Sequence, residues 1–152
     1  MKRLVMSAAL ALLAVGPVSG QSSEDDVMAV INRLFDGMRA GDSSMVRSVF
    51  HPRARMGRAT DDRLRITDGV DGFVEAVGSP HDEVWDEPIW DYHVRIDGKL
   101  AQVWTKYAFY RGETFSHCGV DAFDLYLTPD GWKIFQLVDT MQQEDCEMPP
   151  GR

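Results

Sequence analysis

Asp121, Asp139 and His117 are the side chains of this sequence whose types and spacing could handle a proton. They lie in an alternating run that extends from Trp85 to Met141, and Pro129, Asp130 and Gly131 suit a three-residue hairpin loop with glycine in the bulge position. A hairpin turning there sets Leu125 opposite Phe135, Phe123 opposite Leu137 and Asp121 directly opposite Asp139, with both aspartates and His117 on the apolar side of the sheet. Like charges opposed across a sheet destabilise it, so the pair requires a shared proton, a cationic partner or a ligand. A carboxyl in that position has a raised pKa and can act as a general acid, a general base or a hydrogen-bond donor. The structural alternative has Asp139 paired with Arg53 or Arg55 and Asp121 capping a backbone group. Tyr107 shares the inward parity, as a phenol donor or as packing. Trp85, Trp90 and Tyr92 precede or open the sheet and offer flat surfaces to a ring-shaped ligand, unless they pack the core; His51, ahead of Pro52, is a further candidate for the pocket.

Other chemistries lack their motifs. The sequence has no HExxH, no paired CxxC, no GxSxG and no phosphate-binding glycine loop, so neither a metal nor a cofactor is expected. His81, Asp82 and Glu83 are adjacent in sequence, a spacing that does not make ligands converge.

These residues need one globular domain to position them. The chain has 152 residues, 44% hydrophobic and 26% charged, with a net charge of −8 and a pI near 4.9. That balance excludes a disordered tail or a repeat array, and its acidity argues against nucleic acid and anionic membrane surfaces. Residues 1–20 have the parts of an export signal: Lys2 and Arg3, an apolar run from Leu4 to Val15, and small residues from Gly16 to Gly20 before a cleavage point at Gln21. A periplasmic or secreted location follows, with a domain over 21–145 and a flexible tail over 146–152. Cys118 and Cys146 are then expected to pair. The hairpin register puts Cys118 opposite Gln142, so the bridge requires the chain to fold back near Glu144.

Val27, Val30, Ile31, Leu34, Phe35 and Met38 share one helical face, with Ser23 as the cap and Gly41 as the stop. Asp42 caps a second, short helix that Pro52 ends, and Thr67 or Asp68 caps a third over Val70 to Val77. Between them Arg53, Arg55, Arg58, Arg63 and Arg65 form two strand-like pieces, either a solvated edge hairpin or an anion-binding lip. In the last region Asp97 and Gly98 suit a two-residue loop that opposes Ile96 to Lys99, Val94 to Ala101 and Tyr92 to Val103. The inner face then holds Trp90, Tyr92, Val94, Val103, Tyr107, Phe109 and Phe123. The outer face holds Trp104, Tyr110, Tyr126, Trp132, Ile134 and Val138 among polar residues, apolar enough to suggest a homodimer through it.

The order of elements is α+β, with a cone-shaped, curved antiparallel sheet wrapped around a long N-terminal helix and two short ones. The segments GDSSMVRSVFHPRARM, DGVDGFVEAV, IDGKLAQVWTKYAFY and CGVDAFDLYLTPDGWKIFQLVDT resemble the nuclear transport factor 2-like superfamily, in particular exported bacterial members described as SnoaL-like or lumazine-binding. The resemblance implies a conical pocket, in a fold shared by ketosteroid isomerases, polyketide cyclases, dehydratases and non-catalytic binding domains. Isomerase-like relatives carry a basic carboxylate near the first strand after the second helix; residues 51–57 here contain no acid. The expectation is therefore an exported domain that binds a small molecule. The alternatives are an isomerase, cyclase or dehydratase using Asp121 and Asp139, or a protein-interaction subunit using the outer sheet face.

Overall fold

The structure is a computed structural model that describes residues 23–152; the expected export signal lies outside the described residues. Helix α1 (Glu24–Ala40) opens with Ser23 and Asp26 in a reciprocal capping box and closes at Gly41 in the left-handed region, φ 64°. Its apolar stripe buries Val27, Ile31, Leu34, Phe35 and Met38. Each such side chain removed from water contributes roughly 1.5 to 3 kcal/mol. Asp42 caps α2 (Ser43–Val49) by accepting the Met45 N–H at 2.9 Å. Asp42→Ala is expected to cost about 1 kcal/mol in urea denaturation, because that N–H loses its acceptor. Helix α3 (Asp71–Gly78) starts after Val70 with no side-chain cap, so neither Thr67 nor Asp68 has the expected role.

Seven strands form one sheet: β1 (Phe50–Ala59), β2 (Leu64–Thr67), β3 (Trp85–Asp86), β4 (Ile89–Asp97), β5 (Leu100–Arg111), β6 (Thr114–Thr128) and β7 (Gly131–Thr140). Their order is β2-β1-β7-β6-β5-β3, with β4 also on β5. The β1–β7 pair is parallel, a departure from the all-antiparallel sheet expected, while every other pair is antiparallel.

Three registers decide which side chains face the helices. In β4–β5 the loop is Gly98–Lys99, since Asp97 pairs with Leu100 and Val94 with Val103. This is two residues from the expected register, and an even slip keeps each side chain on its face. An irregularity between Trp90 and His93, with Asp91 at φ 52°, then overturns two inward assignments. Tyr92 is 52% exposed, and Trp90 packs on the outer face with Tyr110, Cys118 and Cys146.

In β6–β7, Phe123 opposes Leu137 and Asp121 opposes Asp139 as expected. Phe135 is then an extra residue: Asp124 pairs with Gln136 but Leu125 pairs with Ile134, and the loop is the two residues Pro129–Asp130. Beyond this bulge the slip is odd, so Trp132 and Ile134 move from the outer face into the core and Leu125 does not meet Phe135.

Cys118 bridges to Gln142 as expected, the chain reverses at Asp145 with φ 53°, and Cys118 and Cys146 form a disulfide with Cα atoms 5.9 Å apart. Closing this loop removes unfolded-state freedom worth roughly 3 kcal/mol on the chain-entropy model. Residues 146–152, expected to be a loose tail, pack back on the protein: Lys106 pairs with Glu147 at 2.9 Å, and the Arg152 guanidinium sits 4.1 Å from the centre of the Tyr110 ring. Among the described residues no helix is long and apolar enough to cross a membrane.

Candidate functional site

Asp121 and Asp139 are neighbours across β6 and β7 at the end of the sheet where β1 also arrives. The parallel β1–β7 register pairs Arg58 with Asp139, and the guanidinium takes the carboxylate in a fork, with Nε donating to Oδ1 at 3.0 Å and to Oδ2 at 2.8 Å, and Nη2 donating to Oδ2 at 2.5 Å. The cation foreseen for Asp139 is thus Arg58, not Arg53 or Arg55. Those two lie nearer the start of β1, and Arg58 is the one whose register reaches Asp139. Burial works against the Arg58 charge, but the hydrogen bonds and charge of Asp139 more than offset it and raise its pKa.

Tyr107 comes in from β5. Its hydroxyl donates to the Thr140 carbonyl at 2.7 Å and approaches Asp139 Oδ2 at 3.4 Å. Gly119, opposite Tyr107 on β6, permits this approach: a Cβ there would lie 2.1 Å from the Thr140 carbonyl oxygen. Desolvation first, and the charge of Asp139 next, push the phenol pKa up, so Tyr107 remains a donor. His117 stands edge-on to Tyr107 with ring centres 5.7 Å apart, and against Phe109 at 5.1 Å. Burial, followed by the charge of Arg58, lowers the His117 pKa and favours the neutral ring.

The acid that partners Asp121 is Glu87, which sequence reasoning missed. Glu87 lies between β3 and β4, in a stretch whose acids Asp82, Glu83, Asp86 and Glu87 read as a solvated charge run. A signal was available in its parity, since Trp85, Glu87 and Ile89 alternate with Asp86 and Pro88, and Trp85 and Ile89 both pack on the core. As a residue Glu87 is only partly buried, yet its carboxyl is desolvated, which together with the charge of Asp139 raises its pKa to about 8; Arg58 and a hydrogen bond with Asp121 pull the other way.

Asp121 is 3% exposed, and its pKa is raised well above the ordinary aspartate range by burial and then by the charges of Glu87 and Asp139. With every carboxyl ionised, Asp121 Oδ2 is buried without a donor. A hydrogen bond between two carboxyl groups requires a proton, and the raised pKa of both Asp121 and Glu87 keeps at least one on the pair at neutral pH. The pair therefore presents a neutral carboxyl at neutral pH, able to donate a hydrogen bond or transfer a proton.

A cleft of about 460 Å³ opens on this end of the sheet, walled by Met56, Arg58, Thr67, Gly69, Phe73 and Asp139 among others. Asp139 belongs both to the cleft wall and to the acid cluster. Of the residues expected at a site, the structure brings together Asp121, Asp139, His117 and Tyr107, with Trp85 joined to them through Phe109 at 5.8 Å. It does not bring Trp90 or Tyr92, for the reason given by the β4 irregularity. Nor does it bring His51, whose Nδ1 accepts the Arg53 N–H at 3.1 Å, at the far end of β1 from Arg58 and about 23 Å away along an extended strand. Among the described residues no group of three or more His, Cys, Asp or Glu side chains is arranged to hold a metal ion.

The fold has many solved counterparts. The β subunit of the benzoate 1,2-dioxygenase from Burkholderia mallei superposes with a TM-score of 0.67 at 17% identity, over 80% of this chain and 92% of that one. A putative dehydratase of the NTF2-like family from Streptomyces avermitilis gives 0.64 at 16% identity, over 78% and 95%. An NTF2-like protein with a cystatin-like fold from Novosphingobium aromaticivorans gives 0.65 at 12% identity, over 80% and 83%. At these identities the likeness is one of fold alone. No protein of curated function matches the sequence. The family model described as "Putative lumazine-binding" matches residues 22–138, the span that holds all three helices, the sheet up to Val138 of β7 and every member of the acid cluster except Asp139 itself, and the chain belongs to that family.

Proposed function

We propose that this is an exported domain that binds a small, ring-shaped molecule in the cleft beside β1, β2 and α3. The observation that carries the reading is the position of Asp139, which stands in the wall of an open cleft and also belongs to a desolvated acid cluster. A ligand there meets the apolar faces of Met56 and Phe73 on one side and fixed polar groups on the other, the composition of a small-molecule site. The family description supports a heteroaromatic ligand of the lumazine class.

The test is a titration of the processed protein with lumazine, followed by its fluorescence, alongside mass spectrometry of any molecule released on denaturation. Saturable quenching is expected in the protein as it stands. Gly72→Phe should abolish it, because Gly72 lines the cleft and a side chain there projects into open space without disturbing the core. Neither saturable binding nor a released molecule would overturn the reading.

The proton held between Asp121 and Glu87 favours a second reading, an enzyme of isomerase, cyclase or dehydratase type. In it the neutral carboxyl serves as general acid, with Tyr107 as a donor. Asp121 keeps its place in this reading, but its proton-sharing partner is Glu87, and Asp139 is the ion-paired neighbour.

The domain also forms a homodimer through the outer sheet face in our reading. Trp104, Tyr126 and Leu100 remain exposed there, whereas Trp132 and Ile134 are in the core and take no part. Trp104→Glu should yield a monomer by light scattering while leaving the fold intact, because Trp104 is 55% exposed in the single chain. An unmodified protein that is monomeric at high micromolar concentration would rule out this assembly.

A further inference from the structure

The backbone that carries Glu87 makes few hydrogen bonds, and the packing of Trp85 and Ile89 on either side is its main hold on the core. Strand β3 is two residues long, pairing Trp85 with Arg111 and Asp86 with Tyr110, and the chain around it adds only the Gly112 N–H donating to the Val84 carbonyl at 2.8 Å and the Ala108 N–H donating to the Pro88 carbonyl at 3.2 Å. Asp86 is nevertheless fixed from two directions. Arg39 of α1 donates to its Oδ1 at 2.8 Å, and Arg152 of the tail donates to its Oδ2 at 2.8 Å. The Arg152 guanidinium also lies 4.1 Å from the centre of the ring of Tyr110, the sheet partner of Asp86, and the Tyr110 hydroxyl donates to Met148 Sδ at 3.7 Å. The tail that brings Arg152 there follows β7 and is fastened to β6 by the Cys118–Cys146 disulfide, and Pro149 within it is buried.

We infer that Arg152 is a positioning residue for the acid pair: the disulfide-fastened tail grips Asp86 from outside, and thereby sets where the next residue, Glu87, presents its carboxyl to Asp121. Consecutive Cα atoms are a fixed ~3.8 Å apart, so Asp86 cannot drift without moving Glu87. This rests on the reading of the Asp121–Glu87 pair as the working part of the site. It adds a control that the pair's immediate neighbours do not supply.

The groups acting on Glu87 are Asp139 of β7, Arg58 of β1, Asp121 of β6 and the adjacent Asp86, and the Tyr107 phenol of β5 also lies within reach of its charge. Arg152 touches none of the first three in the described contacts; it acts through Asp86. That separates two effects of removing it. If Arg152 were only a nearby positive charge, Arg152→Gln would make Glu87 harder to ionise and raise its titration midpoint. If Arg152 holds the segment, its loss lets water reach the carboxyl and lowers the midpoint toward the ordinary glutamate range. The sign of the change distinguishes them.

The experiment is a carbon-13 titration of the processed, ligand-free protein labelled at Glu and Asp carboxyls, with Glu87→Gln used to assign the Glu87 signal. Arg152→Gln is expected to lower the Glu87 midpoint by at least one pH unit, about a tenfold loss of proton affinity. The double substitution Cys118→Ser with Cys146→Ser, which changes no charge, should lower it in the same direction, and Arg152→Lys should fall between. A midpoint that rises or stays put in Arg152→Gln, or that does not move in the disulfide variant, overturns the inference. The readout uses no ligand, so a failure of lumazine to bind would count against the proposed function without touching this result.

Discussion

Glu87→Gln is expected to stabilise the domain above neutral pH by on the order of 2 to 3 kcal/mol and to remove the part of its alkaline decline that Glu87 contributes. In the native protein the pKa of Glu87 is raised from 4.5 to about 8, and that of Asp121 is raised too, so between these limits the folded chain holds more protons than the unfolded one. Stability therefore falls as pH rises through this interval: it is fully present below the unfolded value and lost through the folded one. The full shift would correspond to nearly twice the stated figure; the partial exposure of Glu87 is the reason for the lower one. The glutamine side chain keeps a neutral hydrogen-bonding group against Asp121 and cannot ionise, so the cost of charging a desolvated carboxyl beside Asp139 is absent from the variant. Urea denaturation of both proteins at about pH 4.5 and about pH 9 measures the effect. The two should be close at the lower pH and diverge at the higher. A native protein whose stability does not fall over that range, or a variant that falls as steeply, would show that Glu87 does not hold a proton in the folded chain.

What could be read from the sequence, and what could not, follows the range of the interactions. The capping box at Ser23 and Asp26, the Gly41 stop and the Asp42 cap are local, and each is made by groups within four residues of one another. The Asp121–Asp139 opposition was legible as well, because the one residue by which the loop is shorter than expected is made up by the extra residue at Phe135, which restores the expected register beyond it; so was the Cys118–Gln142 bridge and with it the need for a reversal before Cys146. The errors cluster at bulges. An extra residue at Phe135 leaves no mark in an alternating sequence, yet it turns Trp132 and Ile134 inward. The irregularity at Asp91 similarly exposes Tyr92 and sends Trp90 to the other face. The Arg58–Asp139 pair depends on a parallel contact between strands separated by most of the chain, and no turn fixes its register. Glu87 was hidden for a different reason. Its neighbours Asp82, Glu83 and Asp86 are acidic, and a charge run looks solvated until the fold turns one member inward.

Asp139→Asn is expected to destabilise the domain by about 2 kcal/mol at neutral pH, and adding Arg58→Met should restore most of that loss. The Arg58 fork uses both oxygens of Asp139, whose side chain is only 13% exposed. Asparagine offers one acceptor, and its amide nitrogen would present hydrogens to the guanidinium's own. The loss is limited from two sides. Arg58 is 44% exposed, so water screens part of the stranded charge, and removing the Asp139 charge relieves Glu87 and Asp121. Of these competing terms the broken fork should dominate, because it costs charge-assisted hydrogen bonds while the relief acts on a pair that already holds a proton. A double-mutant cycle over Arg58 and Asp139 by urea denaturation gives the coupling directly. If Asp139→Asn alone instead leaves stability unchanged or raises it, charge relief outweighs the ion pair. Asp139 would then be held in the cleft wall at the fold's expense, as a ligand-facing carboxylate is.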